Sequence, residues 1–144
     1  MAPSSSLSYA GDISAAEAWE KLAADSRAQL VDVRTLAEWN FVGVPDLSSL
    51  GREVQCIEWQ QFPGGGRNPG FVAEASQVLA DKDAPVLLLC RSGARSRAAA
   101  IALTTAGYSQ AFNVGDGFEG DVDEQGHRGN RSGWKAANLP WRQG

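Results

Sequence analysis

Short apolar runs alternate along this chain with stretches in which apolar residues recur every three or four positions, the pattern of strands interleaved with helices. Ser14 and Glu17 form a capping box, and Ala15, Ala18, Trp19, Leu22 and Ala23 then share one helical face. Residues 29–33 (QLVDV) read as a strand ending at Arg34. Thr35 and Glu38 repeat the capping pattern and predict a short helix carrying Leu36 and Trp39. Residues 43–51, with Pro45, Asp46 and two serines, read as loop. Residues 54–59 read as a short strand in which Cys56 alternates with Val54 as a core residue, and FPGGGRNPG (62–70) reads as a loop able to hinge or cover a site. Asn68–Pro69 predicts a helix start, with Pro69 in the first turn where its missing N–H costs nothing and Phe71, Ala75, Val78 and Leu79 as the apolar face.

Residues 86–89 are continuously apolar, which suits a strand covered on both faces. An alanine-rich helix over 95–106 follows, with Gly107 as its C′ residue, and 110–114 is a last strand. Residues 115–133 are glycine-rich and polar, and 134–141 are apolar again. The order of elements predicts an α/β fold with a largely parallel sheet. Residues 1–9 are small and polar and are expected to be flexible, leaving one domain over 10–144.

Composition narrows the function. A net charge of −4 and a pI near 4.9 argue against a nucleic-acid surface, and the one basic cluster in the sequence, Arg91, Arg95 and Arg97, is local, a scale that fits a small anion. Two cysteines without a CxxC pair, and a single histidine, give no disulfide framework and no expected metal. The N-terminus lacks the basic and apolar regions of a signal peptide, and no apolar run approaches a bilayer span. The expectation is a cytoplasmic protein with no membrane or nucleic-acid partner.

The chemistry concentrates in VLLLCRSGARSRAAA, from Val86 to Ala100. Cys90 closes the apolar strand and opens a turn that becomes a helix, so backbone N–H groups and guanidinium groups surround one thiol. Gly93 lets successive N–H groups face one point as an anion nest, and Ser92 and Ser96 add hydroxyls. Arg91 and Arg95 at a helix start oppose the macrodipole unless an anion lies between them. Such a setting favours a thiolate, or an anion attached to the sulfur. Arg97 is expected to face solvent or an acidic neighbour. Asp32 and Arg34 are expected to end their strand and fix the loops beside the turn. His127 reads as an exposed loop residue, and Trp59, Trp134 and Trp141 as packing groups.

Three segments, CRSGARS (90–96), VDVRTLAEW (31–39) and GYSQAFNVGDGFEG (107–120) with Gly133–Trp134 after it, resemble the rhodanese-like (thiosulfate sulfurtransferase) family over most of the chain. The resemblance implies a central parallel sheet of about five strands with helices on both faces. It also implies that Cys90 carries a sulfane sulfur as a persulfide, cradled by the backbone of Arg91, Ser92, Gly93, Ala94, Arg95 and Ser96. No organic cofactor is implied. Two features depart from the family: FVGVPDLSSL replaces its usual GHIPGA-type stretch, and DVDEQGHRGNRS (121–132) is inserted before Gly133–Trp134.

Three readings follow. The first is a monomeric sulfurtransferase taking sulfur from a small anionic donor, thiosulfate or a persulfide, with a protein donor or acceptor also admitted. The second is a sulfur carrier or regulatory binding module, for which the 121–132 insert would be a docking surface. The third, a phosphatase or arsenate reductase, is disfavoured: those resemble C-x5-R loops, whereas here the spacing is C-x4-R and Ser96 occupies the position the longer loop needs.

Overall fold

A computed structural model of the chain describes residues 8–60, 66–121, 123–128 and 132–143. In chain order the elements are β1 (Gly11–Ile13), α1 (Ala15–Ala24), β2 (Gln29–Asp32), α2 (Leu36–Phe41), β3 (Val44–Pro45), β4 (Gln55–Cys56), α3 (Phe71–Val78), β5 (Val86–Leu89), α4 (Ala94–Thr105), β6 (Ala111–Val114), α5 (Gly133–Ala136) and β7 (Trp141–Arg142). Five strands form one sheet in the order β1-β6-β5-β2-β4, every neighbouring pair parallel. β3 and β7 form a separate antiparallel pair.

β5 lies at the centre, and its four side chains are all buried. Alternation sends Val86, Leu88 and Cys90 to one face, against Phe71 and Ala75 of α3 and Ala99 and Leu103 of α4. Leu87 and Leu89 face the other way, against Ala18 and Leu22 of α1 and Trp134 of α5. The expected α/β architecture with helices on both faces is therefore present, and Cys90 follows β5 at the carboxyl edge of the sheet.

Local signals set most element ends. Both predicted capping boxes are made, Ser14 with Glu17 and Thr35 with Glu38. α4 ends in a Schellman motif: Gly107 takes a φ of 107°, its N–H donates to Thr104, and the Tyr108 N–H donates to Leu103, each at 3.0 Å.

Elsewhere tertiary contacts overrule the pattern. β1 was not anticipated; three residues carry too little periodicity, and it exists because it pairs with β6. Tyr9, placed with the flexible start, is instead in the core at 7% exposure, while residues 1–7 lie outside the described residues. The predicted 43–51 loop contributes β3 and a single 3-10 turn at Ser48–Leu50. The strand expected over 54–59 shrinks to Gln55–Cys56 on the sheet edge, where Cys56 is exposed rather than in the core. α3 starts at Phe71, because Asn68 is occupied with the turn: its Oδ1 accepts the Gly70 N–H, and its Nδ2 donates to Glu58 O and Glu74 Oε2. Val78, assigned to the apolar face, is 43% exposed, as α3 gives way at its last turn. Residues 61–65 of the predicted covering loop lie outside the described residues.

Candidate active site

Cys90 is 1% exposed, and the Gly93 N–H donates to its Sγ at 3.1 Å. α4 begins immediately after, with Gly93 as its N-cap and no side chain closing that end. The first bond of the α4 ladder runs from the Arg97 N–H to the Gly93 carbonyl, so the N–H groups ahead of it are those a helix start leaves unused. Anions are stabilised at such an end.

The turn after β6 sets the direction of this loop. The Phe118 N–H donates to the Cys90 carbonyl at 2.8 Å, and the Glu119 and Gly120 N–H groups donate to the Arg91 carbonyl at 3.1 and 3.0 Å. With the carbonyls tied backwards, the loop's amide dipoles turn towards the sulfur. The close approach depends on two glycines. A Cβ on Gly93 (φ 109°) would run into the Gly115 carbonyl, and one on Gly117 (φ 67°) into the Arg91 backbone. Gly93→Ala is therefore expected to destabilise the fold by about 1–3 kcal/mol from the left-handed conformation alone and to slow Cys90 alkylation. Urea unfolding and iodoacetamide kinetics would check both.

Arg95 does not project free into the cradle. Its Nη1 and Nη2 donate to Glu38 Oε1 and Oε2 at 2.6 and 2.9 Å, joining α4 to α2. The anion that a cation at a helix start requires is thus supplied by the protein itself. Burial raises the Glu38 carboxyl, but the Arg95 guanidinium, the Thr35 N–H and the charge of Arg34 together outweigh it and hold the group below its ordinary value. Since the folded pKa is depressed, the pair's stabilisation is present above the ordinary carboxyl range and is lost as pH falls through the folded value. Arg91 is exposed at the loop, Ser92 is half-buried, and Ala94 is exposed at the start of α4. Arg97 is also exposed, its guanidinium 6.0 Å from the Tyr9 ring.

Ser96 is fully buried, with its Oγ 3.2 Å from Cys90 Sγ and 2.5 Å from Asn113 Oδ1. Asn113 was not singled out from the sequence, although an amide inside the otherwise apolar strand AFNV is a readable signal for a buried polar role. Glu38 was read only as a capping residue; its pairing with Arg95 needs two helices to meet.

Asp32 and Arg34 lie behind the loop, both completely buried. Arg34 Nη2 donates to Asp32 Oδ2 at 2.6 Å and to the Gly43 carbonyl at 2.7 Å, and Nε donates to Asp32 Oδ1 at 2.9 Å. The guanidinium stacks 4.3 Å from the Phe118 ring, and its Nη1 is a buried donor without a partner. One side chain thus joins the end of β2, the exit of α2 and the turn that anchors the cysteine loop. Gly133 and Trp134 complete that support, with the Trp134 N–H donating to the Gly117 carbonyl at 2.8 Å. Within the insert, His127 is exposed, while residues 122 and 129–131 lie outside the described residues. Among the described residues no cluster of three or more His, Cys, Asp or Glu side chains could hold a metal, and no helix is long and apolar enough to cross a membrane.

A parallel five-stranded sheet with a cysteine loop leading into a helix at its carboxyl edge defines a rhodanese-like domain. The structure overlays on the polysulfide-sulfur transferase homodimer of Wolinella succinogenes with a TM-score of 0.60 at 18% identity, covering 92% of this chain and 78% of that one, a likeness of fold. The chain belongs to the STR4 middle domain family, whose model matches residues 10–144. It is 56% identical to Rv0390 from M. tuberculosis, whose crystal structure overlays with a TM-score of 0.87 over 94% of this chain and 99% of that one. It is also 37% identical over 131 residues to an uncharacterised protein of Rickettsia conorii, covering 90% of this chain and 95% of that protein. Rhodanese-like domain-containing protein 4, a chloroplastic protein of Arabidopsis thaliana, is 30% identical over 129 residues, 89% of this chain but 25% of that protein's length.

Proposed function

We propose that this protein is a sulfurtransferase in which Cys90 carries a sulfane sulfur as a persulfide. The observation that carries the reading is the buried Cys90 sulfur at an uncapped helix start, with the Gly93 N–H on it and the loop carbonyls drawn away. The Cys90 thiolate attacks the outer sulfur of thiosulfate. A new S–S bond forms, the sulfur–sulfur bond of the donor breaks, and sulfite leaves with the bonding pair. The terminal sulfur then holds the negative charge, where the spare N–H groups of the loop stabilise it. A thiophilic acceptor, cyanide or a thiol, attacks that terminal sulfur and returns Cys90 to the thiolate. No general base is required once the thiolate exists. The protein acts as a monomer on a small anionic donor, with a protein persulfide as the other donor class. A reducing cytoplasm suits the chemistry because it keeps Cys56 and Cys90 as free thiols.

Intact-mass spectra after incubation with thiosulfate test this directly. The expected result is a gain of one sulfur atom, lost on adding cyanide as thiocyanate appears. A protein that gains nothing from thiosulfate or from a small persulfide would overturn the reading in favour of a binding module.

A further inference from the structure

A polar chain leads away from the sulfur, buried at Ser96 and Asn113 and reaching the surface at Asp12. Asp12 of β1 and Asn113 of β6 are direct register partners, so their side chains leave the sheet side by side. Asn113 Nδ2 donates to Asp12 Oδ1 at 2.9 Å, and the Tyr9 hydroxyl donates to both Asp12 oxygens at 3.0 and 3.1 Å. On its other side Asn113 meets Ser96, which meets Cys90.

The polarity of this chain follows from donor chemistry. An ionised carboxylate only accepts, so Asp12 requires the NH2 side of the Asn113 amide. That places Asn113 Oδ1, which also only accepts, against Ser96. Two oxygens 2.5 Å apart need a hydrogen between them, and only Ser96 can supply it. A hydroxyl has one hydrogen, so Ser96 turns a lone pair, not its O–H, to Cys90 Sγ. The arrangement suits a sulfur that bears no charge: a thiol, whose S–H donates to Ser96, or the inner sulfur of a persulfide. A bare thiolate on Sγ is left without the O–H of Ser96, the hydroxyl that stands beside it. Burial and the Asp12 hydrogen bond hold the Tyr9 hydroxyl above its usual value, which keeps the far end of the chain a donor.

We propose that Asn113 and Asp12 are positioning residues for Cys90, turning the Ser96 hydroxyl away from Sγ so that the site favours the sulfur-loaded form, in which Sγ itself is uncharged, over the bare thiolate. Sulfur loading rests on the persulfide function proposed above; the effect on thiol reactivity does not. Other charged and titratable groups around the sulfur are Arg91 of the loop, Arg95 of α4 with Glu38 of α2, and Asp32 at the end of β2 with Arg34 just beyond it. Tyr9 and Arg97 sit at the far end.

Asp12→Asn tests the idea, since Asp12 is exposed and its change leaves the core intact. A neutral amide at position 12 lets Asn113 flip and offer its NH2 to Ser96, which frees the Ser96 hydrogen for the sulfur. The rate of Cys90 alkylation by iodoacetamide at pH 7 should rise about fivefold, with its pH profile displaced to lower pH. The same substitution in a Ser96→Ala background should have no effect, whereas simple loss of the Asp12 charge would act in both backgrounds. Asn113→Ala removes the acceptor itself and should also raise the rate, a second route should Asp12→Asn fail to fold. An unchanged or slower rate in the folded variant, or an increase that persists without Ser96, would overturn the proposal. Alkylation needs no sulfur donor, so a failure here leaves the sulfurtransferase reading standing, and a failure to load sulfur leaves this result interpretable.

Discussion

Cys90→Ser is expected to abolish sulfur transfer from thiosulfate to cyanide, by at least about a thousandfold in thiocyanate release, while leaving the fold intact. A serine hydroxyl fits the space of the thiol and still accepts the Gly93 N–H. It cannot ionise at neutral pH, and it cannot hold a second sulfur. Cys56→Ser should leave the rate largely unchanged. Cys56 stands on the edge strand β4, away from the helix start that serves Cys90; desolvation of the part of its thiol turned towards the sheet, with Asp32 nearby, pushes its pKa up to about 12, so it stays a thiol at neutral pH and is a poor nucleophile. Thiocyanate assays and intact-mass spectra on the two variants would separate the cysteines. Comparable loss in both would remove Cys90 as the sole carrier.

Arg34→Ala should destabilise the protein by about 3–5 kcal/mol, because it leaves the Asp32 carboxylate buried without its cation. The loss spreads to the cysteine loop. Arg34 holds the Gly43 carbonyl at the exit of α2 and lies against the ring of Phe118, whose own N–H holds the Cys90 carbonyl. A domain of ordinary stability has about 5–15 kcal/mol in total, so the variant would keep little reserve. The double variant Asp32→Leu, Arg34→Met should recover much of this, since replacing both charges by apolar groups removes the desolvation penalty together with the attraction. Urea unfolding midpoints read both effects. A single variant within about 0.5 kcal/mol of wild type would show the pair to be structurally dispensable.

Much of the fold was legible because its signals are local. Capping boxes, the Gly107 helix stop and the four-residue apolar strand each depend on neighbours a few residues apart, and each is present. Strands β1, β3, β4 and β7 were missed or mis-sized because they are two or three residues long and exist only through their partners. The same division runs through the site. Cys90, the Gly93 turn and the helix start are one contiguous stretch, so the chain itself places a thiol at the end of a strand and the head of a helix. The resting place of Arg95 could not be read there, since Glu38 stands 57 positions away in sequence and arrives only when α2 folds against α4.

By itself, then, the sequence determined an α/β chain with a cysteine in a glycine-turned, basic loop between strand and helix, because strand, turn and helix preferences are short-range. Only the tertiary structure decided how that loop is aimed and charged. The Gly117–Gly120 turn draws its carbonyls back, Glu38 neutralises Arg95, the buried Asp32–Arg34 pair braces it, and Asn113 with Asp12 fixes the Ser96 hydroxyl. Each of these joins residues distant in sequence, and the short range of hydrogen bonds gives them meaning only once the sheet has brought their strands and helices together.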